Sequence, residues 1–106
     1  MTKIKIPDIY EGMNKTETEH ARHLEHLRME QVILAWKYES LRFRLADRTT
    51  YTPDFLVVTP DRIEIHETKG GFIRDDAIVK FKMARELYPW FEWIMYQKKG
   101  KVWIVR

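Results

Sequence analysis

The sequence contains no cysteine. That excludes a disulfide framework, a thiolate nucleophile and a cysteine zinc site. Glycine and proline number only four each, which excludes collagen-like and Gly/Pro-rich low-complexity chains. The few that occur fall at apparent element boundaries. No apolar run approaches the ~18 residues of a membrane span. The opening residues, MTKIKIPDIYEG, lack the apolar segment of a secretory signal. No membrane partner is expected, and the expected location is the cytoplasm. There are no internal repeats and no Gly/Ser linker.

What is present is ordinary globular composition: 106 residues, 44% hydrophobic and 33% charged. This length fits one domain with a real core. Residues 1–13 read as an irregular arm, in which Ile4 and Ile6 alternate like a short strand, and residues 14–106 as a single domain. The net charge is only +3 but unevenly placed. Residues 1–70 hold 11 basic and 12 acidic side chains, whereas residues 71–106 hold 8 basic and 4 acidic. A basic C-terminal third suits a polyanion partner and equally suits a solvated surface.

Periodicity predicts a helix over 15–34, capped by Asn14 or Thr16, with Thr16-Glu17-Thr18-Glu19 reading as a capping box. Its apolar stripe is Ala21, Leu24, Leu27 and Leu34, and Glu17 lies on that same face. A strand is expected over 37–45, then a turn at 46–49. A strand over 53–59 follows, apolar enough to be covered on both faces. Pro60-Asp61 turns the chain into a third strand over 62–69, closed by Gly70-Gly71. A second helix over 75–88 buries Ala77, Phe81, Ala84, Leu87 and Tyr88 and stops at Pro89. Two last strands, 92–97 and 101–105, flank a turn at 98–100. The resulting α-β-β-β-α-β-β order predicts an α/β (α+β) fold, a mixed sheet flanked by helices.

The third strand carries the chemistry. Side chains on a strand alternate faces, so Ile63, Ile65, Glu67 and Lys69 share one face. Two isoleucines should bury that face, which then presents a carboxylate and an ammonium as the strand ends. Burying either charge alone costs several kcal/mol, so the pair must be matched or metal-bound. Antiparallel pairing through Pro60-Asp61 brings Asp54 beside Glu67, with their carboxylates expected within about 5 Å of each other. Two carboxylates at one strand end suit a hard cation such as Mg²⁺ or Mn²⁺.

Pro53-Asp54 followed by Glu67-Thr68-Lys69 resembles the PD-(D/E)XK nuclease motif, and the element order resembles the αβββαβ core of that restriction-endonuclease-like fold. Asn14-Lys15-Thr16-Glu17, Tyr51-Thr52-Pro53-Asp54-Phe55 and His66-Glu67-Thr68-Lys69-Gly70 look like a small group of nucleases encoded by tailed phages and prophages. The resemblance covers about residues 14–100. It implies a Mg²⁺- or Mn²⁺-dependent endonuclease acting on duplex or branched DNA in a phage-infected or prophage-bearing bacterium. Asp54, Glu67 and the Thr68 carbonyl would bind the metal, and Lys69 would assist the attacking water. In phage and archaeal Holliday-junction resolvases of this class the first helix adds an acid, and Glu17 is the matching residue. Glu17 also reads as a capping acceptor, and the two roles are compatible. The glutamine/tyrosine helix motif of the larger recombination nucleases has no match.

Several further residues are candidates for DNA contact. Lys80 lies at the edge of the second helix's apolar stripe and could reach the site or pair with Asp76. Arg42 and Arg44 alternate out of a strand, and Lys98, Lys99 and Lys101 crowd the last hairpin; these could grip phosphates or simply guard strand edges. His20, His23 and His26 read as a solvated or DNA-facing helix surface, and His66 as structural. A chain this short has little surface for target recognition, so a homodimer on a two-fold substrate is expected. The alternative is a catalytically weak or inactive DNA-binding module on a nuclease fold.

Overall fold

A computed structural model describes residues 8–106. The elements run α1 (Lys15–Met29), β1 (Ala35–Tyr38), β2 (Phe43–Ala46), β3 (Thr49–Tyr51), β4 (Phe55–Val58), β5 (Ile63–Gly70), α2 (Asp75–Leu87), β6 (Glu92–Lys99) and β7 (Val102–Val105). Five strands make a mixed sheet in the order β1-β4-β5-β6-β7, and β2 and β3 form a separate hairpin. β5 and β6 are parallel, with α2 in the crossover, and the other neighbours are antiparallel. The expected α+β class and flanking helices are observed. The expected strand at Ile4 and Ile6 lies outside the described residues. No helix among the described residues is long and apolar enough to cross a membrane.

Each sheet face carries its own core. Phe43, Leu45, Ile65, Ile73, Phe81, Ala84, Trp93 and Met95 pack together on the α2 face. The β2–β3 hairpin shares that face, contributing Phe43 and Leu45. Ala21, Leu24, Ile33, Phe55 and Val57 pack on the α1 face. β4 is therefore covered on both sides, as its unbroken apolar run predicts. Burying such side chains is the dominant stabilising term, about 1.5–3 kcal/mol for each large one.

Several expectations need correction. The first helix stops at Met29, five residues early, because Gln31 takes a left-handed φ of 63°. Leu34 is consequently exposed, not part of the stripe, and its N–H bonds Val58 at the start of the sheet. The single strand expected over 37–45 is two, broken at Glu39, which is also left-handed at φ 48°. β3 was not expected at all. Ile63 and Leu87 are exposed, so Ile65, Phe81 and Ala84 are buried while Ala77 and Tyr88 are half-buried. Lys98 and Lys99 belong to β6, and the turn is at Gly100-Lys101.

His20 is the largest departure: it is buried, not solvated. Its Nε2 lies 2.9 Å from Nδ1 of His66, whose Nε2 lies 2.8 Å from the Glu64 carboxylate. Glu64 in turn accepts from Nε of Arg62. Because Glu64 accepts from His66 Nε2–H, His66 Nδ1 is free to accept from His20 Nε2–H. Both rings are then neutral. Phe55, Tyr96 and Trp103 enclose His20, with ring centroids 5.3, 4.6 and 6.0 Å away. Burial first, and His66 second, pull the His20 pKa down to about 3.

The unfolded chain takes up this proton below about pH 6.5 and the folded chain does not. Stability from this group is full above 6.5 and is lost as pH falls toward 3. Glutamine can keep the donor to His66 without titrating. The difference in Tm between wild type and His20→Gln is expected to narrow steadily from pH 7.5 to 4.5. A difference that stays constant across that range would contradict a neutral buried pair.

Candidate active site

The site sits where β4 begins and β5 ends, beside the N-terminus of α1. Pairing between these strands stops at Phe55↔His66. Beyond that point Asp54 replaces the ladder: its Oδ2 accepts from both the backbone N–H and the hydroxyl of Thr68, each at 2.8 Å. The Asp54 carbonyl accepts from Glu39 N–H, so its backbone is pinned from the β1 side as well. Residue N–H and C=O groups point to the same strand edge. The Thr68 carbonyl therefore faces the gap at Asp54 and not the β6 ladder.

Asp54 and Glu67 are buried, at 8% and 4% exposure. Asp54 is a close neighbour of both Glu67 and Glu17, near enough for each pair to perturb one another's titration. The capping box closes around Glu17: Asn14 Oδ1 accepts from Glu17 N–H, and Glu17 Oε1 accepts from Asn14 N–H at 2.9 Å. Tyr38 also donates to that Oε1 at 3.1 Å. Glu17 thus caps its helix and faces Asp54 at once. Gly70 makes this approach possible, because a Cβ there would stand 2.7 Å from Thr16 Oγ1.

Lys69 is half-buried, with Nζ 3.7 Å from Glu67 Oε1. Tyr51, at the end of the β2–β3 hairpin, donates to Glu67 Oε2. Burial, then the charge of Glu67, push the Asp54 pKa up to about 6 against its two Thr68 hydrogen bonds. Burial raises Glu67 and Glu17 as well, the first opposed by Tyr51 and Lys69, the second by the Asn14 N–H. One ammonium at 3.7 Å does not balance three gathered carboxyls.

The structure thus brings Glu17, Asp54, Glu67, Thr68 and Lys69 together. It does not gather the other candidates there. Lys80 is exposed on α2 and makes no ion pair with Asp76. Arg44 pairs with Asp47 on the hairpin, while Arg42, Lys99 and Lys101 are exposed. Lys98 pairs with Glu19 and lies over the Trp103 ring. Tyr51 and Tyr38 were missed as site residues. The sequence signal for Tyr51 was its place in the Tyr51-Thr52-Pro53-Asp54-Phe55 segment, which by itself names no partner.

No protein-family model, curated protein or solved structure matches the chain.

Removing the Asp54 charge should stabilise the protein when no divalent cation is present. Asparagine retains an oxygen acceptor for Thr68. The wild-type carboxyl favours the folded state below its unfolded pKa of 3.8, and that contribution is lost as pH rises through about 6. Asp54→Asn is therefore expected to raise Tm at pH 8 in EDTA by about 5 °C or more. The gain should vanish near pH 4. A variant less stable than wild type at pH 8 would show that the carboxylate is not under repulsion.

Proposed function

We propose that this chain is a divalent-metal-dependent endodeoxyribonuclease of the PD-(D/E)XK class. The observation that carries the reading is the convergence of Glu17, Asp54 and Glu67 beside Lys69 at one end of the sheet. The α1, β1, β4, β5, α2, β6 order, with parallel β5 and β6, supports the same reading.

The donor set fits a hard cation by its chemistry: carboxylates, one backbone carbonyl, and burial that leaves negative charge under-compensated. Among the described residues no three such side chains are arranged to hold an ion as they stand. Each carboxylate is instead occupied by a protein donor: Asp54 by Thr68, Glu67 by Tyr51, and Glu17 by Asn14 and Tyr38. Asp54, Glu67 and the Thr68 carbonyl would hold Mg²⁺ or Mn²⁺. When bound, the ion supplies fixed positive charge against the scissile phosphate and lowers the pKa of water.

The chain's own residues do the rest. Lys69 donates hydrogen bonds that orient the attacking water and offset charge on the non-bridging phosphate oxygens. In this reading Glu17 accepts the water's proton. Water oxygen adds to phosphorus in line, one P–O ester bond breaks, and the departing oxygen takes a proton from solvent. Arg42, Arg44, Lys98, Lys99 and Lys101 supply phosphate contacts without reading bases, and a homodimer would present two such sites to a two-fold substrate.

The test combines cutting with a binding readout. Linear duplex, single-stranded, flap and four-way-junction DNA are incubated with Mg²⁺ or Mn²⁺. Wild type should cut at least one of them, and Glu67→Gln and Lys69→Ala should each lose about 100-fold or more. Either cation should raise the Tm of wild type and not of Glu67→Gln. Cutting that persists in both variants would overturn the assigned site. DNA binding without cutting or a metal-linked Tm would favour the inactive accessory module.

A further inference from the structure

Phe72 is 86% exposed, the most exposed large hydrophobic residue among those described. It follows Lys69 by three residues, so the two lie within about 10 Å of one another along the chain. Trp90, also largely exposed, leans edge-on against Tyr88. Phe72 has no aromatic or cationic partner among the described residues.

The segment that presents Phe72 is held firmly. Gly71 adopts a left-handed φ of 67°. Its N–H donates to the Lys98 carbonyl at 2.8 Å, and its carbonyl accepts from Gln97 Nε2 at 2.6 Å. Gln97 is itself buried at 3% exposure, with its Oε1 accepting from Arg106. One backbone bond and one bond from a buried amide thus fix the residue before Phe72, while the ring is left in water.

A polar cleft of about 230 Å³ opens on the same segment, lined by Lys15, Thr16, Glu19, Gly70, Gly71 and Lys98. Two lysines face one glutamate there, so the cleft is net positive. Glu19 holds Lys98 across it. Gly70 and Gly71 offer no side chain to bar a phosphodiester from the floor.

Resting on the nuclease reading, we infer that Phe72 stacks on an unpaired base of the substrate, with the neighbouring phosphate seated between Lys15 and Lys98. A base inside an intact duplex presents only its edges, whereas an unpaired one offers a π-face to a ring. The substrate class is therefore single-stranded or branched DNA with an unstacked nucleotide within a step or two of the cut. The lysines contact the backbone, so the preference is for structure and not sequence.

The test measures binding in EDTA, where cutting is absent, to single-stranded, flap and duplex DNA of one sequence. Wild type should favour the first two over duplex. Phe72→Ala should cut that preference by about 5- to 100-fold, the worth of one stacked base, and Phe72→Trp should restore it. Lys15→Ala should lower affinity for single strands and reduce the salt slope by about 0.7. Phe72-dependent single-strand binding by a protein that never cuts would uphold the stacking of Phe72 on an unpaired base and overturn the nuclease reading. Cutting with equal losses on duplex and single strands would do the reverse. A dimer that Phe72→Ala dissociates, with DNA preference unmoved, would overturn it in favour of a second copy as the partner.

Discussion

The site hangs on a single carboxylate oxygen. Asp54 Oδ2 takes both donors of Thr68 and so extends the β4–β5 pairing one step past the point where the backbone ladder ends. Without it, the start of β4 and the end of β5 would splay, and the Thr68 N–H would be left without a partner. An unmet buried donor costs about 1–3 kcal/mol. The same bonds hold the Asp54 side chain beside Glu17 and Glu67. One hydrogen-bond arrangement therefore closes the fold and assembles the carboxyl cluster, and the two cannot be separated by substitution without retaining an acceptor at position 54.

That arrangement works against stability in the absence of a cation. Asp54 and Glu67 are buried in mutual reach, and the compensating groups are modest: a tyrosine hydroxyl, two Thr68 donors and a half-buried ammonium. Burial raises both carboxyls, and a neighbouring like charge adds to it: Glu67 for Asp54 and Glu17 for Glu67. A chain selected only for stability would replace one acid with an apolar or amide side chain. The buried His66–His20 pair on the opposite sheet face is a contrast. Each bond along Glu64, His66 and His20 is met, both rings stay neutral, and no like charges are opposed.

Much of this was legible in the residues. The alternation through Ile65, Glu67 and Lys69, with Pro60-Asp61 upstream, was enough to place Asp54 beside Glu67, because hairpin register follows from turn position and a period of two. The position of Glu17 on the buried stripe of α1 was readable for the same kind of reason. Local pattern failed where backbone conformation overrode it. Left-handed Gln31 and Glu39 ended a helix and split a strand at residues that carry no glycine signal. His20 looked solvated because a histidine every third residue wraps around a helix. Its burial depends on His66, 46 residues away, and on three aromatic rings supplied by other elements. Tyr51 was hidden by the same long-range dependence.

Tyr51 also settles what the β2–β3 hairpin is. The hairpin shares no hydrogen-bond ladder with the main sheet, and by topology alone it could be an appendage. Its inner residues Phe43 and Leu45 are buried in the α2-face core, and Tyr88 on α2's C-terminal side donates to the Arg44 carbonyl at 2.8 Å. Tyr51 stacks on Trp93 of that core, with centroids 6.5 Å apart, while its hydroxyl meets Glu67. The outward face of the hairpin, bearing Arg42 and Arg44, is thus tied through one side chain to the carboxylate opposite Lys69. Packing holds the ring, the ring holds the hydroxyl, and the hydroxyl holds Glu67. The hairpin is therefore a wall of the site, and its position cannot change without changing what Glu67 is bonded to.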